Sequence, residues 1–280
     1  MTTRYVLAPG RPVLLRPDGA VQVGWDPRRA VLVHPPGSIT QAQLADLLRT
    51  LQGGASRDEI TTAAREFDAA EAVDELVAAL TDAGILTVAT PHPSRTPSVR
   101  IHGRGPLSEL LTSALRCSGA LVRHTSRPHA SAVPEATDLV VLADYQVTEP
   151  RVLRELHEAA VAHLPVRLRD GAGLVGPLVI PGLTSCLQCA DLHRRDRDAA
   201  WPALAAQLRG TVGTAGRATI LATAALALRQ IDLVIQAVRE AGDSRRAPQP
   251  PPTLNTTLEL DADGYSISAR RWSRHPECPC

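Results

Sequence analysis

The sequence predicts an α/β protein with a mostly parallel sheet, preceded by a small winged-helix-like α+β domain. Three observations predict it. From Ser98 onward, short apolar runs alternate with helical stretches, the pattern of strands joined by crossover helices. Before that, three short strands lead into three helices with recognisable start signals. Between the two parts, "TPHPSRTPS" (Thr90 to Ser98) is a proline-rich break. The boundaries read as a domain at 1–90, a linker at 91–97 and a second domain at 98–280.

In the first domain, "PVLLRPDGAVQVGW" gives two strands around a Pro-Asp-Gly turn, and "AVLVH" (Ala30 to His34) a third. Thr40 with Gln43 forms a capping box, and Gly53 and Gly54 end that helix. Ser56 with Glu59 starts a second helix, Arg57 to Phe67. Asp68 caps a third, with Val73, Leu76, Val77 and Leu80 on one face and Gly84 as the stop. "ILTV" closes the domain as a strand.

In the second domain, "SVRIHG", "GALVRH", "DLVVLAD", "PVRLRD" and "GPLVIPG" read as five strands. "RGPLSELLTSALRC" and Glu149 to His163 read as helices. The run Ala218 to Val238 is the most apolar, but Arg229, Gln230 and Asp232 make it a core helix rather than a membrane span. "APQPPPT" (Ala247 to Thr253) separates it from a closing hairpin around Asp-Ala-Asp-Gly.

Charge narrows the function classes. The formal net charge is +1, which favours neither nucleic acid nor a membrane surface. All 30 basic residues are arginine, so no mechanism that needs a lysine is available. The N-terminal "MTTRYVLAPG" lacks the apolar core of a signal peptide, and the expected compartment is the cytoplasm, where thiols stay reduced.

The five cysteines carry the sharpest signal. Cys186 and Cys189 form a Cys-x-x-Cys pair, and Cys278 and Cys280 a Cys-x-Cys pair at the end of the sequence. Structural zinc takes four tetrahedral thiolates, often from such pairs. The second pair is tighter than the usual knuckle, and His275 is a reserve ligand. The expectation is a structural zinc clasp that pins the hairpin to the sheet. Cys117, on a helix, reads as a small buried hydrophobe.

"VRIHGRGPLSELL" places Gly103 and Gly105 between a strand and a helix, the setting of a nucleotide-binding turn. Ser108 replaces the third glycine, and the second strand leads into "RHTSRPHA", with no acid for a ribose. Asp144 ends the third strand, where α/β sites lie. Gly103, Gly105 and Asp144 therefore read as a vestigial nucleotide site, and ATP is not expected. "DLHRRDRDAAW" offers Asp191 with Arg195 and Arg194 with Asp198 as i,i+4 pairs on a solvated helix face.

These residues carry a resemblance. "DLVVLAD", "GPLVIPGLTSCLQC" and "HPECPC" resemble the E1-like (ThiF/MoeB-type) superfamily, with its Rossmann-like domain and four-cysteine zinc site. More narrowly, "GPLVIPGLTSCLQCADLHRRDRDAAW" and "RRWSRHPECPC" resemble the E1-like cyclodehydratase-associated proteins of thiazole/oxazole-modified (RiPP) peptide pathways. Residues 1–90 resemble the PqqD-type leader-peptide recognition element. The resemblance implies a precursor leader peptide added as a strand beside Val31, Leu32 and Val33, against the third helix. Val73, Val77 and Leu80 would line that groove, although they are equally the core face of the helix. It also implies a YcaO-type partner that performs the cyclisation, and a homodimer. Adenylating E1 enzymes use an acid after the second strand, a basic pair and often a cysteine, and this sequence departs from that pattern.

The reading is a non-catalytic leader-binding scaffold with no catalytic residues. One alternative is an ATP-dependent adenylating or cyclodehydrating enzyme. Another is a winged-helix DNA-binding regulator. Residues 1–90 hold eight arginines against eleven acids, a net −3, which opposes DNA.

Overall fold

A computed structural model of the chain describes residues 3–8, 10–65, 70–89, 95–127, 136–241 and 250–280. The chain divides into two compact units, 1–93 and 94–280. Phe67, Asp68 and parts of both proline-rich breaks, 90–94 and 247–249, lie outside the described residues.

The first unit contains two small sheets and three helices. Strands β1 (Arg4–Leu7), β2 (Val13–Leu15), β3 (Val21–Val23) and β4 (Val31–Val33) come first. Helix α1 (Gln41–Gln52), strand β5 (Ala55–Ser56), α2 (Arg57–Arg65), α3 (Ala70–Asp82) and β6 (Leu86–Ala89) follow. The antiparallel order β2-β3-β4 leaves β4 at an edge. The expected "ILTV" strand pairs with β1, with β5 on the other side of β1. Neither β1 nor β5 was expected, because each is too short to show a period.

Local chemistry fixes the helix starts. The Thr40 backbone N–H donates to Gln43 Oε1 at 2.8 Å, and the Gln43 N–H to Thr40 Oγ1 at 3.3 Å. The reciprocal pair Ser56 and Glu59 does the same for α2, at 2.7 and 3.2 Å. Both satisfy N–H groups that the first turn leaves unpaired. The core gathers Leu7, Leu44, Leu48, Leu51, Ile60 and Val73, among others.

The second unit is a seven-stranded sheet between two layers of helices. It runs β7 (Ser98–His102), α4 (Pro106–Leu115), β8 (Leu121–Thr125), β9 (Leu139–Asp144) and α5 (Pro150–Glu158). Next come β10 (Ala162–Arg169), β11 (Ala172–Val175), α6 (Leu187–Arg195) and α7 (Trp201–Leu208). Helix α8 (Arg217–Glu240) and the hairpin β12 (Thr256–Asp261) and β13 (Ser266–Arg271) end it. The strand order is β13-β12-β11-β10-β9-β7-β8. Strands β8, β7, β9 and β10 are parallel neighbours, whereas β10 through β13 form an antiparallel meander.

The sheet is thus mixed, not mostly parallel. A tight turn at Asp170 and Gly171, both at positive φ, folds β11 back antiparallel on β10. "GPLVIPG" is not a strand of the sheet: Leu178 and Val179 make only isolated bridges. Helix α5 stops at Glu158, and His163 belongs to β10.

Period-2 alternation splits β9 between two cores. Leu139, Val141 and Ala143 pack with α4 and α8, and Val140 and Leu142 with α5 and the Cys186–Cys189 segment. Helix α8 has the length and hydropathy of a membrane span, yet Ala224, Ala227, Ile231 and Ile235 are buried on the sheet. Replacement of Thr40 by Ala removes one half of a capping box. The expected cost is about 1 kcal/mol of first-unit stability, read as a lower urea midpoint at unchanged m-value.

Candidate metal centre and strand-end crevice

Cys186 is the N-cap of α6, and its sulfur accepts from the Cys189 backbone N–H at 3.4 Å. The positive end of a helix dipole favours thiolate at that position. Strand β13 then delivers Cys278 and Cys280 to the same place. Cys186 Sγ lies 3.7 Å from Cys189 Sγ and 3.5 Å from Cys278 Sγ, and Cys189 Sγ lies 3.4 Å from Cys280 Sγ. All four sulfurs are within 4.8 Å of one another.

A tetrahedral ion with bonds of about 2.3 Å to sulfur sets its ligands about 3.8 Å apart. The observed spacing matches that cage and exceeds by far the roughly 2.05 Å of a disulfide. Burial pushes the Cys186 thiol up, and the Cys280 thiol up to about 11. Burial acts the same way on Cys189, but backbone hydrogen bonds from His275 and Cys186 outweigh it and bring that thiol down to about 7. Four thiolates this close repel, so full ionisation requires a divalent cation between them. Four protein ligands leave no position for water or substrate, which makes the candidate metal site structural.

The surroundings hold both halves in register. His275 is buried, receives the Glu277 backbone N–H on Nδ1 at 3.1 Å, and donates from Nε2 to Asp196 Oδ2 at 2.7 Å. Its ring is therefore committed to a supporting contact and is not a reserve ligand. Ser185 donates from N and Oγ to Asn255 Oδ1 at 2.7 and 2.9 Å. Trp272 donates from Nε1 to Thr257 Oγ1 at 2.9 Å. No local signal marks Ser185, Asn255 or Trp272 in the sequence, because their partners are 15 to 70 residues away.

In "DLHRRDRD" the ion pairs differ from the expected i,i+4 set. Arg194 pairs with Asp191 at 2.8 Å, and Arg195 with Asp196 and Glu277 at 3.0 and 2.7 Å. Asp196 and Glu277 compete for Arg195 because the C-terminal segment lies over this helix end. Cys117 is exposed rather than buried, since α4 ends before it at Leu115.

The strand order reverses direction between β7 and β9, the place where open α/β sheets bind ligands. Gly103 and Gly105 lie there in close approach. A Cβ on Gly103 would strike the Ala143 carbonyl, and one on Gly105 would come within 2.9 Å of the Asp144 carboxylate. That carboxylate accepts the Leu107 and Ser108 backbone N–H groups at 2.9 and 3.2 Å. It therefore occupies the α4 N-terminus, where a phosphate would sit in a nucleotide-binding turn. Burial raises its pKa against the lowering effect of those hydrogen bonds. Asp144 is held at φ +70°, a strained conformation for a residue other than glycine.

Ser108 Oγ folds back on the turn, accepting from Gly105 N at 3.1 Å and donating to Gly105 O at 2.9 Å. Residues 209–212 bridge to Tyr145 and Val147 and cover the crevice. The cavity left there measures about 140 Å³, against roughly 300–1,000 Å³ for ordinary small-molecule sites. At the end of β8 stand Arg123, His124 and Thr125, followed by Ser126 and Arg127, none of them an acid.

In the first unit, Val31 is half-buried, Leu32 is 48% exposed and Val33 is buried. Val73, Val77 and Leu80 are buried in the core with Val33.

This architecture has the fold of solved heterocyclases and of MccB. It matches the structure of the heterocyclase TruD with a TM-score of 0.71 at 18% identity, over 99% of this chain and 42% of that one. A heterocyclase solved in complex with substrate and cofactor matches with a TM-score of 0.69 at 19% identity, over 99% of this chain and 39% of that one. Escherichia coli MccB solved with ATP gives 0.59 at 14% identity, over 99% of both chains. The chain thus spans about two fifths of the heterocyclases it matches. No family model and no curated protein matches it.

Metal analysis of the purified protein should find one divalent ion per chain. Cys280→Ser should lower both occupancy and the melting temperature. Protons compete with the metal for thiolates, so occupancy in a chelator buffer should fall as pH falls. Asp144→Ala leaves two N–H groups of α4 without their acceptor and should cost about 1–3 kcal/mol, measured by denaturant unfolding.

Proposed function

We propose that the protein is a non-catalytic scaffold of a thiazole/oxazole peptide cyclodehydratase system. In this reading it binds the leader segment of a ribosomal precursor and presents it to a YcaO-type partner in the cytoplasm, as a homodimer. Zinc is the structural ion. The first unit acts as a winged-helix-like recognition module.

The observation that carries the proposal is the edge of β4, which has no strand beside it among the described residues and whose other side is paired to β3. An unpaired edge offers main-chain donors and acceptors to an incoming strand, and side-chain pockets supply selectivity. Leu32 is the exposed apolar residue on that strand, while Val73, Val77 and Leu80 support it from the core. The scaffold role, as against an adenylating enzyme, is supported by the Asp144 carboxylate on the α4 N-terminus and by the small cavity beside it. In this reading cyclisation lies outside residues 1–280, which span about two fifths of the heterocyclases of like fold.

Hydrogen exchange with a leader peptide encoded beside the gene should show new protection at Val31–Val33. Leu32→Glu should weaken that peptide by about tenfold, or ~1.4 kcal/mol, at unchanged melting temperature. Protection elsewhere with β4 unchanged would remove the docking mode. ATP-dependent pyrophosphate release by the isolated protein would favour the enzyme reading instead.

A further inference from the structure

A second cavity, of about 410 Å³, lies at the C-terminal end of β10. Its wall includes Arg167, Arg169, Arg194, Arg197 and Arg270, together with Asp170, Asp191 and Asp198. The acids do not neutralise the arginines evenly. Arg194 takes Asp191 at 2.8 Å, and Arg169 takes Glu259 at 2.8 Å. Arg167, Arg197 and Arg270 have no carboxylate partner among the described residues. Arg270 instead stacks on Trp272, with its guanidinium 4.3 Å from the ring centre.

Arg167 is the informative residue. It is 9% exposed, and its Nη1 donates to the Gln146 carbonyl at 2.8 Å. Its buried Nε has no hydrogen-bond partner. A buried guanidinium without a counter-ion is costly, and protein interiors normally supply one. Burial and the neighbouring Arg194 push the Arg167 pKa down, to about 10, against the raising effect of Asp191. The Asp191 carboxylate is within electrostatic reach but bonded to Arg194 rather than to Arg167, and Arg167 keeps its charge at neutral pH. Leucines 153, 174, 187 and 208 and Trp201 give the same cavity an apolar wall.

We propose that this cavity is a binding site for an oxyanion, a carboxylate or a phosphate, carried on a small molecule or side chain with an apolar body. The oxyanion meets the Arg167 guanidinium, which lines the cavity, and is reached by Arg197 from the exposed rim. Forked guanidinium donors suit both anions. The site stands on its own observations and does not depend on peptide docking at β4.

Titration calorimetry on the metal-loaded full chain tests it with three aromatic probes: phenylacetate, phenyl phosphate and the neutral phenylacetamide. One of the two anions should bind, with phenylacetamide at least about tenfold weaker and the affinity falling as salt rises. The stronger of the two identifies the source as a carboxylate or a phosphate. Inorganic phosphate alone should bind more weakly, because it leaves the apolar wall unused. Arg197→Gln, at the exposed rim, should cut affinity about tenfold with an unchanged melting temperature. Arg167→Met should abolish binding; if that variant does not fold, Arg197→Gln decides alone. Equal binding of phenylacetamide, no binding of either anion at millimolar concentration, or an Arg197→Gln variant that binds as the parent does would overturn the proposal.

Discussion

Four sulfurs from two segments 91 and 92 residues apart in sequence meet in one cage. Much of the second unit depends on that convergence. The hairpin β12–β13 forms one edge of the sheet, and a two-stranded hairpin by itself is only marginally stable in water. Its distal side is poorly covered, with Tyr265 and Ile267 exposed. The register with β11, the Trp272 and Ser185 contacts, and the cysteine cage are what hold it in place. Metal binding contributes about 10–16 kcal/mol of apparent free energy in small zinc modules. That is comparable to the net stability of a whole domain. The cage also places Glu277 against Arg195 and His275 against Asp196, so the end of the described chain covers the α6 terminus.

The strand ends combine the geometry of a nucleotide-binding turn with an anion supplied by the chain itself. The strand, the Gly-x-Gly turn and the helix are arranged as in a nucleotide-binding site. The α4 N-terminus, which would attract phosphate, already has an anion of its own in Asp144. Two buried N–H groups are satisfied at the cost of a strained backbone at the same residue. Residues 209–212 then occupy the space above. Positive charge has not left the sheet end; it is concentrated around β10, where Arg167 and Arg169 emerge beside the α6 arginines. The electrostatically open cavity is thus the one at β10 and not the one at the glycine turn.

Much was legible in the sequence where the signal is local. The capping boxes at Thr40 and Ser56, the Pro-Asp-Gly turn, the strand "DLVVLAD" and the long core helix follow from residue chemistry within a few positions. The Cys-x-x-Cys and Cys-x-Cys spacings pointed to a shared cage, because each pair is useless for tetrahedral coordination without the other. The fold relation was legible through the same motifs.

What only the tertiary structure decided is what depends on contacts across the chain. The closing hairpin was legible from its Asp-Ala-Asp-Gly turn, but the antiparallel placement of β11 on β10 departs from the expected mostly parallel sheet, because strand direction there is set by a two-residue turn and not by strand composition. Cys117 and His275 changed roles for the same reason: exposure and hydrogen-bond partners come from packing. Asp144 could be read as a strand-end carboxylate, but its capture of the α4 N–H groups required the approach of Gly105 to within contact. The sequence by itself determined which residues start helices, alternate in strands and supply thiols, since those properties reside in neighbours a few positions apart. The fold alone decided which charges are paired within the chain, because charge pairing is settled by distances in space.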